Sequence, residues 1–191
     1  MSLQRIHAPL LAVILLISPS IAAGESHDGS KAPAEAIKAA ANEHDLSADL
    51  LYAVALQEAR RFDGRVVRPH PWATRDDRAG PQYFDSRDEA EAYLEEFLTD
   101  HPEDPIDIGM FQIAYHWHGH HVAHPADLLV PEKSAEVAAL LLSRAKRSAE
   151  DSVLGVGRYH SWSEGRARQY GQQVLGIYER IRQQGGVLND E

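Results

Sequence analysis

The sequence predicts a mainly α, α+β fold: a single helical domain interrupted by one small β-hairpin. Three observations carry this expectation. Apolar residues recur at helical spacing, as in Leu51 and Val54 and again in Ala167, Tyr170 and Val174. Ser47, Ser86 and Ser163 stand where helix N-caps are needed. Between the first two helices and the rest, Asp76-Asp77-Arg78-Ala79-Gly80-Pro81 is turn chemistry, flanked by the short runs Val66-Val67, His70-Pro71-Trp72-Ala73 and Gln82-Tyr83-Phe84.

Taken in order, residues 1–23 read as a secretory signal. Arg5 precedes an apolar run from Pro9 to Ile17, and small residues follow as far as Gly24. The run is short for a membrane span, with an uncleaved anchor as the alternative. Cleavage is expected between Ala22 and Glu25, and residues 24–32 form a polar leader. The domain runs over 33–185. Pro33 suits the first turn of a helix reaching Ala41. Ser47 caps a second helix whose apolar face is Leu50, Leu51, Val54 and Ala55.

An insertion over 62–106 holds the hairpin and a third helix. That helix opens on the capping box Ser86-Arg87-Asp88-Glu89 and presents Ala90, Tyr93, Leu94 and Phe97 on one face. Asp100 to Pro105 is a loop, and Gly109 precedes a helical run. Pro131 starts a helix to about Glu150, with Val137, Leu140, Leu141 and Ala145 inward. Asp151 or Ser152 caps a short helix that extends to Tyr159. The final helix buries Ala167, Tyr170, Val174, Ile177, Tyr178 and Ile181, and Gly185-Gly186 stops it. Residues 186–191 are a tail.

Composition narrows the function. The 191 residues allow one domain with a real core, and 43% hydrophobic with 25% charged residues is a globular balance. A net charge of −10 argues against nucleic-acid binding. The absence of cysteine excludes disulfides and thiolate metal sites.

Glu58 is the first candidate for chemistry. Leu51, Val54 and Glu58 fall at i, i+3 and i+7, so a carboxylate occupies the next position of an apolar stripe. Desolvation there would raise its pKa and suit it to general-acid work. An ion pair with Arg60 or Arg61 is the commoner role for an isolated helix-end Glu. A second feature is the histidine-rich stretch at 116, 118, 120, 121 and 124, around Trp117. His116 and His120, four apart, would share a helical face for zinc or copper, which makes a secreted His-rich metal-binding protein the rival reading. No neighbouring Glu, Cys or other carboxylate completes such a site, and exposed imidazoles at 118, 120 and 121, titrating near pH 6 to 7, are the simpler expectation.

Three stretches in order, Gln57-Glu58-Ala59-Arg60, Gly109-Met110-Phe111-Gln112-Ile113 and Gly157-Arg158-Tyr159-His160-Ser161-Trp162, resemble the motifs of the soluble lytic transglycosylases, a family of lysozyme-like fold. The family's motifs are a helix-borne Glu followed by Ser, then Gly-Leu-Met-Gln, then Ala-Tyr-Asn-Ala-Gly. The resemblance covers roughly Ala34 to Gln183. The stretches His70-Pro71-Trp72, Tyr83-Phe84-Asp85-Ser86 and Ile106-Asp107-Ile108-Gly109 are similar to those of members encoded with conjugative plasmids and integrating conjugative elements. Here Ala59 stands in place of Ser, Phe111 in place of Met, His160 in place of Asn, and Ser161-Trp162 in place of Ala-Gly.

The resemblance implies a periplasmic enzyme acting on peptidoglycan glycan strands without a cofactor or metal. It implies a partner in a type IV secretion or conjugation apparatus. Glu58 would protonate the glycosidic oxygen and then take the proton of the C6 hydroxyl of N-acetylmuramic acid, leaving a 1,6-anhydro product. A muramidase-type hydrolase of the same fold is the alternative. Gln112 would contact substrate, the Tyr159 hydroxyl would hydrogen-bond Glu58, and the backbone at Gly109 and Met110 would floor the cleft. His160 and Trp162 would contact sugar. Trp72 and Trp117 are further candidates for stacking on sugar faces. Asp107 is read as structural, capping the turn before Gly109.

Overall fold

The structure, a computed structural model, describes residues 31–186. The expected signal segment, most of the leader and nearly all of the tail lie outside the described residues. The helices are α1 (Lys31–Glu43), α2 (Ala48–Ala59), α3 (Arg87–Asp100), α4 (Tyr115–His118), α5 (Pro131–Arg147), α6 (Ser152–Gly157) and α7 (Glu164–Gln183). Six short strands join them: β1 (Arg60–Phe62), β2 (Val67–Pro69), β3 (Ala73–Asp76), β4 (Gly80–Tyr83), β5 (Ile106–Ile108) and β6 (Ile113–Ala114). Helix predominates, with a small antiparallel sheet, as the sequence predicts.

Capping chemistry sets several boundaries. The Ser47 hydroxyl accepts the Leu50 N–H at 3.4 Å, and Asp151, not Ser152, caps α6 by accepting from Val153 and Leu154. Ser86 accepts the Glu89 N–H at 3.2 Å, but the Glu89 carboxylate reaches back to the Asp85 N–H rather than to that of Ser86. The box is therefore displaced by one residue on its return arm. At the end of α7 the Gly186 N–H returns to the Ile181 carbonyl at 3.0 Å, closing the stop expected of Gly185-Gly186.

Several boundaries differ from expectation. Helix α5 ends at Arg147, because Ser148 turns its hydroxyl onto the Ala145 carbonyl at 2.6 Å. Within α5, Leu142 is fully buried, whereas Leu140 and Leu141 are only half-buried. Helix α6 stops at Gly157, leaving Tyr159 in the turn beyond it. Four strands were not expected. β1 and β2 form a separate ribbon that begins directly at the end of α2, and β5 and β6 extend the predicted β3–β4 hairpin into a sheet ordered β4-β3-β5-β6. The segment after Gly109 is thus a turn and a strand, not a helical run.

Strand register decides which side chains face which layer. Thr74 pairs with Ile108 and Arg75 with Asp107, while Asp107 also stands opposite Ala114. Alternation sends Thr74, Ile106 and Ile108 into the core, so Arg75, Asp107 and Ala114 form a row on the other face. The turn from β5 to β6 needs Gly109: its φ is +79°, and a Cβ there would lie 2.1 Å from the Leu128 carbonyl oxygen.

The main core lies between the helices, filled by Ile37, Leu51, Val54, Leu142 and Val174 and closed over the sheet by Met110 and Phe111. α7 packs on α6 and α2, and α1 packs on α5. The α6–α7 approach is close because small residues face backbone. A Cβ on Gly157 would fall 1.8 Å from the Ala167 carbonyl oxygen, and one on Gly171 would fall 2.0 Å from that of Val153. This contact fixes where the chain leaves α6 and so where Tyr159 and His160 lie.

Candidate active site

Glu58 occupies the last turn of α2, half-buried, at the point where the apolar stripe meets a cleft of about 750 Å³. It makes no ion pair with Arg60 or Arg61; Arg61 instead holds Asp85 at 3.1 Å. Its partner is the Tyr170 hydroxyl from α7, which donates to Glu58 Oε1. Burial pushes the Glu58 pKa up to about 7; the Tyr170 hydrogen bond opposes the rise, nearby Asp107 adds to it, and Arg75 reduces it. The carboxyl is therefore poised to carry a proton near neutrality and to give it up.

The expected bond from Tyr159 to Glu58 is not made. The Tyr159 hydroxyl donates to the Phe111 carbonyl at 3.0 Å, because the turn after α6 aims it at the β5–β6 turn. Tyr170, which periodicity assigns to the core, takes that place and was missed as a site residue. Its ring is 5% exposed and stacks with His160 at 4.9 Å and 7°, and more loosely with Tyr159 at 6.4 Å. Burial, together with the charge of Glu58, holds both tyrosine hydroxyls protonated well above their ordinary range. Tyr170 is then a permanent donor to Glu58.

Asp107 is the second correction. It caps no turn; it lines the same cleft as Glu58, projecting from the row it shares with Arg75 and Ala114. Burial raises its pKa to about 6, with Arg75 pulling it down and Asp77 pushing it up. The signal available in the sequence was the alternation Ile106-Asp107-Ile108, three residues long and too short to separate a strand from a loop.

Gln112, Tyr159, His160 and Trp162 all line the cleft, as expected, whereas Gly109 and Met110 do not. Met110 is fully buried and Gly109 is pressed against Leu128, so both lie behind the cleft surface. Gln112 is a non-glycine residue at φ +45°, a conformation that costs of order 1 kcal/mol or more and needs local compensation. Its own Nε2 supplies some, donating to the Gly109 carbonyl at 2.9 Å. Trp117 and Trp162 stand at the rim, 71% and 72% exposed, and offer flat apolar faces to a ligand. Trp72 lines a different recess, of about 520 Å³, with Tyr52, Phe62 and His70.

The remaining wall carries His118, His120, His121, Arg144 and Arg158. The histidines do not share one helical face, because α4 is a single turn followed by a 3₁₀ turn at Gly119–His121. His118 and His121 are half-buried rather than exposed, and desolvation with neighbouring cations lowers both pKa values. Among the described residues, no group of three or more His, Cys, Asp or Glu side chains is placed to hold a metal ion, and no helix is long and apolar enough to cross a membrane.

Comparison of the chain with protein-family models, with curated proteins and with solved structures gives no match in any of the three.

Proposed function

We propose that the protein is a lytic transglycosylase that cleaves the β-1,4 bond between N-acetylmuramic acid and N-acetylglucosamine in peptidoglycan. The observation that supports this most is Glu58: a carboxyl with a pKa of about 7, held by a tyrosine hydroxyl in a cleft rimmed by exposed tryptophans. The three-motif resemblance supports it independently.

In this reading Glu58 donates its proton to the glycosidic oxygen as the C1–O4 bond breaks. The C6 hydroxyl of the same muramic acid attacks C1, and its proton passes to the Glu58 carboxylate, restoring the acid. The C1–O6 bond closes the 1,6-anhydro ring and no water enters the product. Holding the nucleophile in the reacting sugar supplies a proximity gain of several kcal/mol. Tyr170 orients Glu58 and supports its anionic form between the two transfers. Secretion to the periplasm belongs to the same proposal and rests on the signal-like residues 1–23, whereas local murein opening for a conjugation or type IV secretion apparatus rests on the resemblance alone.

Asp107 favours a second reading. A second ionisable carboxyl in the cleft gives a hydrolase the base or nucleophile that most glycosidases need. Mass spectrometry of products from purified peptidoglycan separates the two. Anhydro-muropeptides from the wild type, lost in Glu58→Gln and retained in Asp107→Asn, are the expected result. Reducing-end products lost in both variants would replace the transglycosylase with a hydrolase.

A further inference from the structure

Tyr170 reaches Glu58 through a hydroxyl at the end of a long flat side chain, so the bond depends on what holds the ring. Two aromatic rings flank it. Tyr159 lies 6.4 Å away with the planes 24° apart, and its own hydroxyl is committed to the Phe111 carbonyl. His160 lies closer, at 4.9 Å, with its plane within 7° of that of Tyr170. Rings at that separation and angle are stacked in contact. His160 is itself exposed and lines the cleft, whereas Tyr170 is buried behind it. The imidazole therefore covers the phenol at the cleft surface.

The backbone sets this overlap. In the turn after α6, the His160 and Ser161 N–H groups both donate to the Gly157 carbonyl, at 3.0 and 3.2 Å. Gly157 in turn sits against the Ala167 carbonyl, three residues before Tyr170 on α7. Residues three apart share a helix face, so the close approach that seats Gly157 also seats His160 over Tyr170. The imidazole has no competing partner: among the described residues its nitrogens make no hydrogen bond. Desolvation, followed by the charges of Arg166 and Arg75, lowers its pKa, so at neutral pH it is an uncharged flat ring.

We infer that His160 is a positioning residue: stacked on Tyr170, it keeps the phenol hydroxyl on the Glu58 carboxyl. It acts on Glu58 through Tyr170, and it does so in the free protein. Only the consequence for glycan cleavage rests on the proposed function. The resembled motif has Asn at this place, whose small amide offers the phenol far less plane than an imidazole. The support given to the acid by His160 is thus a feature of this chain's own departure from the motif.

The test is a carbon NMR titration of the Glu58 carboxyl in the intact labelled protein, its signal identified by its loss in Glu58→Gln. His160→Leu keeps the bulk of the side chain but cannot stack. The Tyr170 bond should loosen, and the Glu58 midpoint should rise by about 0.5 pH or more, the direction expected of Tyr170→Phe. His160→Phe restores a flat ring and should titrate as the wild type does. In a Tyr170→Phe background, His160→Leu should add nothing, because its route to Glu58 is already gone. An unchanged or lowered midpoint in His160→Leu, no restoration by Phe, or full additivity with Tyr170→Phe would overturn the positioning role. No substrate enters the titration, so a protein that yields no anhydro product would lose the enzymatic reading and keep this one.

Discussion

Glu58 is under two opposing local influences that can be separated by mutation. The Tyr170 hydrogen bond lowers its pKa and the Asp107 charge raises it. If Glu58 must be protonated to act, activity falls as pH rises through about 7. Tyr170→Phe should move that alkaline limb to higher pH and Asp107→Asn should move it to lower pH. Both shifts are read from pH profiles of kcat/KM on soluble glycan fragments. Shifts of the same sign would mean that Glu58 is not the titrating acid. At this scale Glu58 was legible because a carboxylate interrupts an apolar stripe. Tyr170 was not, because periodicity sees the ring and not the hydroxyl, and a buried aromatic on a helix face looks like any other core residue.

Among elements, the decisive contact is the one between α6 and α7. Gly157→Ala would drive a methyl into the Ala167 carbonyl, whose backbone position is set by α7. Overpacking of that kind costs roughly 1–3 kcal/mol or more. Gly165→Ala, in the first turn of the same long helix, meets nothing within 4 Å and should be neutral or stabilising by up to about 1 kcal/mol. Thermal unfolding of the two variants checks the contrast; equal melting temperatures would show that α6 can slide without penalty. Helices were legible because their apolar stripes repeat over many residues, as in α2 and α7. The cap expected of Ser47 forms on α2, whereas Ser163 stands at the start of α7 without a side-chain capping bond. The strands β1, β2, β5 and β6 span only two or three residues each and acquire their identity from distant partners. Nothing local in Ile106-Asp107-Ile108 announces that β3 lies alongside it.

For the molecule as a whole, the cleft carboxyls set a cost that depends on pH. Glu58 and Asp107 have folded-state pKa values raised to about 7 and about 6, so their contribution favours folding at low pH and is lost as pH rises through those values. Burial lowers the pKa values of His70, His118, His121 and His160, which acts in the opposite direction as pH falls. The double variant Glu58→Gln/Asp107→Asn should therefore gain stability over the wild type at pH 8, by a few kcal/mol, and little at pH 4. Denaturant unfolding at both pH values measures it, and an equal difference at the two would contradict the assignment. The motif resemblance placed Glu58, Gln112 and Tyr159 in one constellation, and the fold brings all three to one cleft. Their mutual bonding was beyond reach, since it depends on side-chain directions that no linear spacing encodes.

The hydroxyl that orients Glu58 lies 112 positions further along the chain. A growing polypeptide makes the α2 carboxyl early, but its donor arrives only with α7, after the sheet and five other helices have been made. Until that last long helix docks, the acid has neither its tyrosine nor the wall that dries it. The environment that raises the Glu58 pKa is thus complete only once α7 has docked, and a chain that stops short of α7 would lack the proposed acid.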